Sequence, residues 1–185
     1  MTIPEEDEIK SILRQYQSSF TSKVYSDENN DHDVLMEVFG ITPELKRQNR
    51  QYWGRELGMC WQLVVSALFN ATRSDFAHGY SDGADELCDL MAGVDAIDTK
   101  YRIGSGDSGT LKKFKQYGKT LHGAGLNPIF LIVREDNLPA AITACNVGGW
   151  TVYTGNQSFE YINNMTGVDL YSFLSQNTGK FTIDR

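Results

Sequence analysis

Asp89, Asp98 and Lys100 stand within twelve residues of one another, in the stretch DLMAGVDAIDTK. Two carboxylates and an ammonium in short apolar runs are a set that can hold a cation beside an anion. Strand side chains alternate with period two, so Asp98 and Lys100 share a face. A hairpin pairing residues 87–91 with residues 94–102, turning at Ala92-Gly93, sets Asp89 opposite Ala96 on that same face. Diagonal neighbours across such a pair are about 7–8 Å apart. Two carboxylates at that separation can converge on one hard cation, which for Mg2+ takes oxygen ligands at roughly 2.0–2.1 Å. The Thr99 carbonyl can add a backbone oxygen. Asp95 has the opposite parity and is excluded.

The chemistry such a set performs best is phosphodiester hydrolysis. A divalent ion activates water and takes up the charge that develops on phosphorus. A neighbouring lysine orients or deprotonates that water, or neutralises the phosphate. Taken alone, an Asp-x-Lys triplet is more often a surface salt bridge. The upstream Asp, the tight turn, the apolar flanks and the basic stretch that follows make this one more specific. Asp85 competes with Asp89, because it shares the face and would sit opposite Lys100; Leu87, Leu90 and Met91 favour Asp89. Glu56 is a further candidate, weighed evenly between a carboxylate near the metal and a helix-surface partner of Arg55 or Arg50. Gln62, among apolar neighbours, reads as a satisfied core or interface amide. His32, His78 and His122 show no metal-ligand spacing.

The whole chain has a net charge of −7, which argues against a polyanion partner. Its distribution argues otherwise. Residues 1–33 carry eight acidic side chains against three basic ones, whereas residues 99–119 carry six basic side chains against Asp107 alone. Arg102, Lys112, Lys113, Lys115 and Lys119 follow the carboxylates directly. Next to such a site they read as phosphate contacts, in preference to an ordinary solvated helix face. Ser105, in the glycine-serine loop of residues 104–109, joins them by position. That loop has neither Walker nor dinucleotide spacing.

These residues need a frame. The chain has 185 residues, 41% of them hydrophobic, which is enough for one domain with a real core. No apolar run reaches membrane-spanning length, and the acidic opening MTIPEEDEIK lacks a signal segment. Three separated cysteines read as free thiols in a reducing compartment, the cytoplasm. Apolar spacing predicts helices over residues 4–20, with Pro4 in the first turn, and over residues 33–39, ending at Gly40. A long helix capped at Thr42 should run through Trp53, Trp61 and Phe69, with a break or close packing at Gly54 and Gly58. A weak strand at residues 76–80, the hairpin, a lysine-bearing helix over 110–122 and a buried strand over 128–134 follow. A helical turn at 139–145, a strand at 150–154 and short helices at 158–165 and 170–174 complete the order. This is an α/β chain of the α+β type, a mixed central sheet flanked by helices. Residues 1–185 form a single domain, with 1–40 as a helical arm and 41–185 as the core.

The arrangement resembles the PD-(D/E)xK nuclease superfamily, and three segments look like the ApaLI-type restriction endonucleases. They are RELGMCWQ from Arg55, DAIDTKYRIGSGDSGTLKKFKQYGK from Asp95, and REDNLPAAITACNVGGWTV from Arg134. The resemblance implies a restriction-endonuclease-like core and Mg2+-dependent cleavage of double-stranded DNA by a homodimer, at a short palindromic site of the GTGCAC type. Position by position it makes Asp89 the first acid, Asp98 the second and Lys100 the lysine. Cys88 stands where the motif has proline, and the second acid is Asp where Glu is commoner. Two other functions fit the same residues. One is a nuclease of repair or recombination that recognises DNA structure. The other is a DNA-binding protein in which Asp98 and Lys100 form a plain ion pair.

Overall fold

The computed structural model describes residues 6–22, 27–29 and 32–183. The first-turn position expected for Pro4 lies outside them. In chain order the elements are α1 (Glu6–Ser22), α2 (Val34–Phe39), α3 (Pro43–Gln48), α4 (Arg50–Thr72), β1 (Phe76–His78), β2 (Ser81–Asp82), β3 (Asp85–Glu86), β4 (Leu90–Ala92), β5 (Asp95–Lys100), α5 (Ser108–Gly123), β6 (Asn127–Ile132), α6 (Pro139–Gly148), β7 (Thr151–Thr154), α7 (Asn156–Thr166) and α8 (Leu170–Ser175). Five strands form one sheet in the order β1-β4-β5-β6-β7, and β2 and β3 form a separate hairpin. The β1/β4 and β4/β5 pairs are antiparallel; β5/β6 and β6/β7 are parallel. The expected mixed sheet flanked by helices is therefore present.

The sheet is covered on both faces, and β6 shows why the chain folds this way. Ile129, Leu131 and Val133 enter one core with Trp61 and Val65 of α4 and Ile162 of α7. Phe130 and Ile132 alternate with them into a second core with Leu121 of α5 and Ala141 and Cys145 of α6. A continuous apolar run is what a parallel strand buried on both sides requires.

Several boundaries differ from the sequence reading, each for a local reason. Thr42 does cap a helix, accepting from the Leu45 N–H at 3.2 Å, with Pro43 in the first turn. That helix ends at Gln48. Asn49 then caps the long α4, accepting from the Tyr52 N–H at 3.0 Å. Neither Gly54 nor Gly58 breaks α4, and neither is needed for close approach. A Cβ at Gly54 would meet nothing within 4 Å, and one at Gly58 would meet Tyr101 Cβ at 3.7 Å. The arm expected over residues 1–40 shrinks to α1 among the described residues, because Val34, Leu35, Met36 and Val38 of α2 are buried in the core. On α1, Ile12, Leu13, Tyr16 and Phe20 are exposed.

A buried polar network ties Glu28 and Asp33 to the ends of β5 and β6. Arg134, 4% exposed, pairs with Asp33 at 3.2 Å and Asp136 at 3.0 Å. Tyr101 donates to Asp33, whose other oxygen caps α2 at Leu35 and Met36. Lys46 pairs with Glu28 and donates to Tyr101.

Helix α5 crosses α6 where Gly118 meets Gly148. A Cβ at Gly118 would lie 2.3 Å from the Gly148 carbonyl and 2.6 Å from Trp150 Nε1. Two substitutions to alanine should therefore have opposite signs. Gly54→Ala should stabilise by about 0.5–1 kcal/mol, the entropy and solvation advantage of alanine inside a helix. Gly118→Ala should destabilise by about 1–3 kcal/mol through overpacking. Urea unfolding of the two variants measures both.

Candidate active site

The β4/β5 hairpin turns on Gly93-Val94, one residue later than the sequence reading set it. Gly93 has φ +60°, a conformation that favours glycine, and its N–H reaches the Asp75 carbonyl at 3.3 Å. Ala92 pairs with Asp95, Met91 with Ala96 and Leu90 with Ile97. The pairing ends there; continued by one rung, this register would set Asp89 opposite Asp98, where Ala96 was expected. The displacement is two residues, so parity survives it.

Asp89 itself is not within a strand. The chain bends there, just before β4. Its N–H still bonds the Ile97 carbonyl at 2.9 Å, but its side chain then takes over the ladder. Asp89 Oδ2 accepts from both the N–H and the Oγ1 of Thr99, each at 2.6 Å. Asp89 Oδ1 accepts from Gln62 Nε2 of α4 at 2.9 Å. Thr99, 5% exposed, thus meets Asp89 through its N–H and hydroxyl.

Asp98 and Lys100 project from β5 on the α5 side and form an ion pair. Together with Asp89 they line a cavity of about 260 Å3 between the sheet and α5. Glu86, Lys113 and Tyr117 complete its polar wall, and Phe114, Phe130 and Trp150 its apolar one. Lys100 Nζ lies 5.9 Å from the Phe130 ring centroid. Burial pushes the Asp98 carboxyl up to about 6, and the charges of Asp89 and Glu86 add to this against the pull of Lys100. Burial works against a charged Lys100, but Asp98 and Asp89 more than offset it and hold its pKa above the ordinary value. Lys100 is therefore an ammonium that donates hydrogen bonds and neutralises charge. A general base would need the opposite shift.

The remaining candidates lie elsewhere. Glu56 is on the exposed side of α4, paired with Arg55 at 2.9 Å. Asp85 pairs with Asp82 in the separate hairpin and lies 3.8 Å from Lys113; it is not opposite Lys100. Asp95 faces away from the cavity, accepting from Asn127 at 3.0 Å and from Tyr161 at 2.8 Å, as parity required. Arg102 is drawn inward, with Nε donating to the Asp136 carbonyl at 2.9 Å and Nη2 to the Asp27 carbonyl at 3.0 Å. Ser105 is exposed and borders a depression shared with Arg50 and Arg102. Lys112, Lys115 and Lys119 are exposed along one face of α5, and Lys113 stands at the cavity wall. Glu86 and the role of Gln62 were missed. An amide inside the apolar run CWQLVV was the one signal for Gln62, and Glu86 gave none.

Among the described residues, no three His, Cys, Asp or Glu side chains form a ready-made metal cluster. Mg2+ does not require one, since it commonly takes one or two carboxylates and fills its remaining positions with water and phosphate. The donor chemistry of Asp89 and Asp98 fits such an ion. Both offer hard oxygens; burial chiefly raises the proton affinity of Asp98, and the charges of Asp89 and Glu86 add to it. No protein-family model matches the chain, and neither does any curated protein or solved structure.

The Asp98 shift has a consequence for the metal-free protein. The folded state holds this proton more tightly than the unfolded chain, where Asp titrates near 4. The contribution is complete below about pH 4 and is lost as pH rises through about 6. Asp98→Asn keeps the neutral form. It is predicted to gain on the wild type by on the order of 2–3 kcal/mol between pH 4 and pH 7.5 in chelator-treated urea unfolding. A difference that does not change with pH would show that Lys100 compensates the charge in full.

Proposed function

We propose that this chain is a Mg2+-dependent endonuclease that cleaves double-stranded DNA as a type II restriction enzyme of the PD-(D/E)xK superfamily, ApaLI-like. The observation that carries this reading is the meeting of Asp89, Asp98 and Lys100 on one cavity beneath a helix that exposes Lys112, Lys115 and Lys119. Asp89 and Asp98 would hold the ion, which when bound activates water and stabilises charge on the phosphate. The Lys100 ammonium donates to a non-bridging phosphate oxygen. Lys113 is placed to meet the strand as it enters, and the exposed face of α5 to track the backbone beyond. Asp98, with its raised proton affinity, must lose a proton before it can bind a cation, so activity should fall below about pH 6.

A palindromic site presents two equivalent strands, which a two-fold dimer matches with one active site each. Ile12, Leu13, Tyr16 and Phe20 of α1 offer an exposed apolar face for the second copy. No helix among the described residues is long and apolar enough to cross a membrane; the proposed DNA substrate is cytoplasmic.

Purified protein incubated with supercoiled plasmid and Mg2+ should give discrete, reproducible fragments. Asp98→Ala should abolish cleavage while leaving DNA binding intact, and Lys115→Ala should flatten the salt dependence of binding by about one unit. Cleavage confined to branched or mismatched substrates would transfer the reading to a repair or recombination nuclease. Binding without any metal-dependent cleavage would leave a DNA-binding protein with a plain Asp98–Lys100 ion pair.

A further inference from the structure

Asp89 offers four lone-pair sites, roughly two on each oxygen. Thr99 takes both sites on Oδ2, through its N–H and its hydroxyl. Gln62 takes one on Oδ1 at 2.9 Å. The oxygen that keeps a free lone pair is therefore the one that Gln62 addresses. A carboxylate can only accept, so the amide must present its NH2 group and not its carbonyl.

The stem that carries this amide is rigid. Trp61 and Val65, on either side of Gln62 in α4, are fully buried. Trp61 Nε1 also donates to the Leu131 carbonyl of β6 at 3.0 Å. Gln62 is thus fixed to the sheet on which Asp98 and Lys100 stand, and side chains supported in this way hold their partners' geometry closely.

We propose that Gln62 is a positioning residue of the metal site, an inference that rests on the endonuclease reading above. Its amide fixes the rotation of the Asp89 carboxylate and directs the free lone pair of Oδ1 into the cavity that Asp98 lines, ready for a divalent cation. Gln62 acts through Asp89. Thr99 anchors one oxygen and Gln62 aims the other, so loss of Gln62 loosens the site without emptying it. Outer partners of this kind typically contribute about 10–100-fold in metal affinity.

The test uses Mn2+ alone as probe, titrated into the full chain and followed by the electron paramagnetic resonance of the free ion. Gln62→Met keeps the length of the side chain and removes the donor; Gln62→Ala removes both. Each should keep the circular dichroism of the wild type and bind Mn2+ about 10–100-fold more weakly, whereas Asp98→Ala should lose the site. Wild-type affinity in both Gln62 variants, with the site lost in Asp98→Ala, overturns the proposal and leaves the metal site standing. No Mn2+ binding by the wild type, or full binding by Asp98→Ala, overturns the site reading and the proposal with it. Should neither variant fold, the wild type decides. The Gln62 side-chain NH2 resonances should shift as Mg2+ saturates the protein, and resonances that stay in place overturn the proposal.

Discussion

The two-residue turn at Gly93-Val94 fixes the register of β4 against β5, and the site depends on that register. A slip of one residue would carry every β4 side chain to the opposite face of the sheet. Glycine at position 93 takes the positive φ that the turn needs, and its N–H is tied to Asp75. With the register set, Asp89, at the bend just before β4, lines one cavity with Asp98. Its carboxylate accepts from both the N–H and the hydroxyl of Thr99. One residue thus stands at the entry to β4 and, in the proposed reading, supplies the first acid of the site.

The second constraint is electrostatic. β5 carries Asp98 and Lys100 into a wall of Phe114, Phe130 and Trp150. Neither charge is comfortable there alone, because desolvation opposes both. They support each other, and the raised proton affinity of Asp98 shows that the support is incomplete. A cation between Asp89 and Asp98 would relieve both carboxylates at once. The same accounting changes the meaning of the basic block. Lys100 is spent on Asp98 and Arg102 on Asp136 and the Asp27 carbonyl. Of that block, the lysines of α5 are the ones left exposed.

Period-two alternation was enough to put Asp98 and Lys100 together and to send Asp95 to the opposite face, since β5 is a regular strand. It could not give the turn position, which depends on which residue adopts positive φ, nor the bend that takes Asp89 out of its strand. Glu56 and Gln62 show the limit on a helix. Six residues at 3.6 per turn rotate the chain by about 240°, so when Gln62 faces Asp89, Glu56 must face solvent. The phase of α4 is set by which tryptophans and valines the sheet accepts, and that is a tertiary fact. The surroundings of Arg102 were not legible for a related reason. Its partners, Asp136 and the segment at Asp27, are distant in sequence, and a local charge count cannot see them.

The central claim is that Asp89 and Asp98 hold one divalent ion beside Lys100. Crystals of the protein grown with Mn2+ and a DNA duplex, measured near the manganese absorption edge, test it most directly. The account predicts an anomalous peak in the cavity within coordination distance of Oδ1 of Asp89 and a carboxylate oxygen of Asp98, with Lys100 Nζ facing a phosphate oxygen. A peak at Glu56 or Asp85, or duplex bound over α5 with no peak between Asp89 and Asp98, would contradict it.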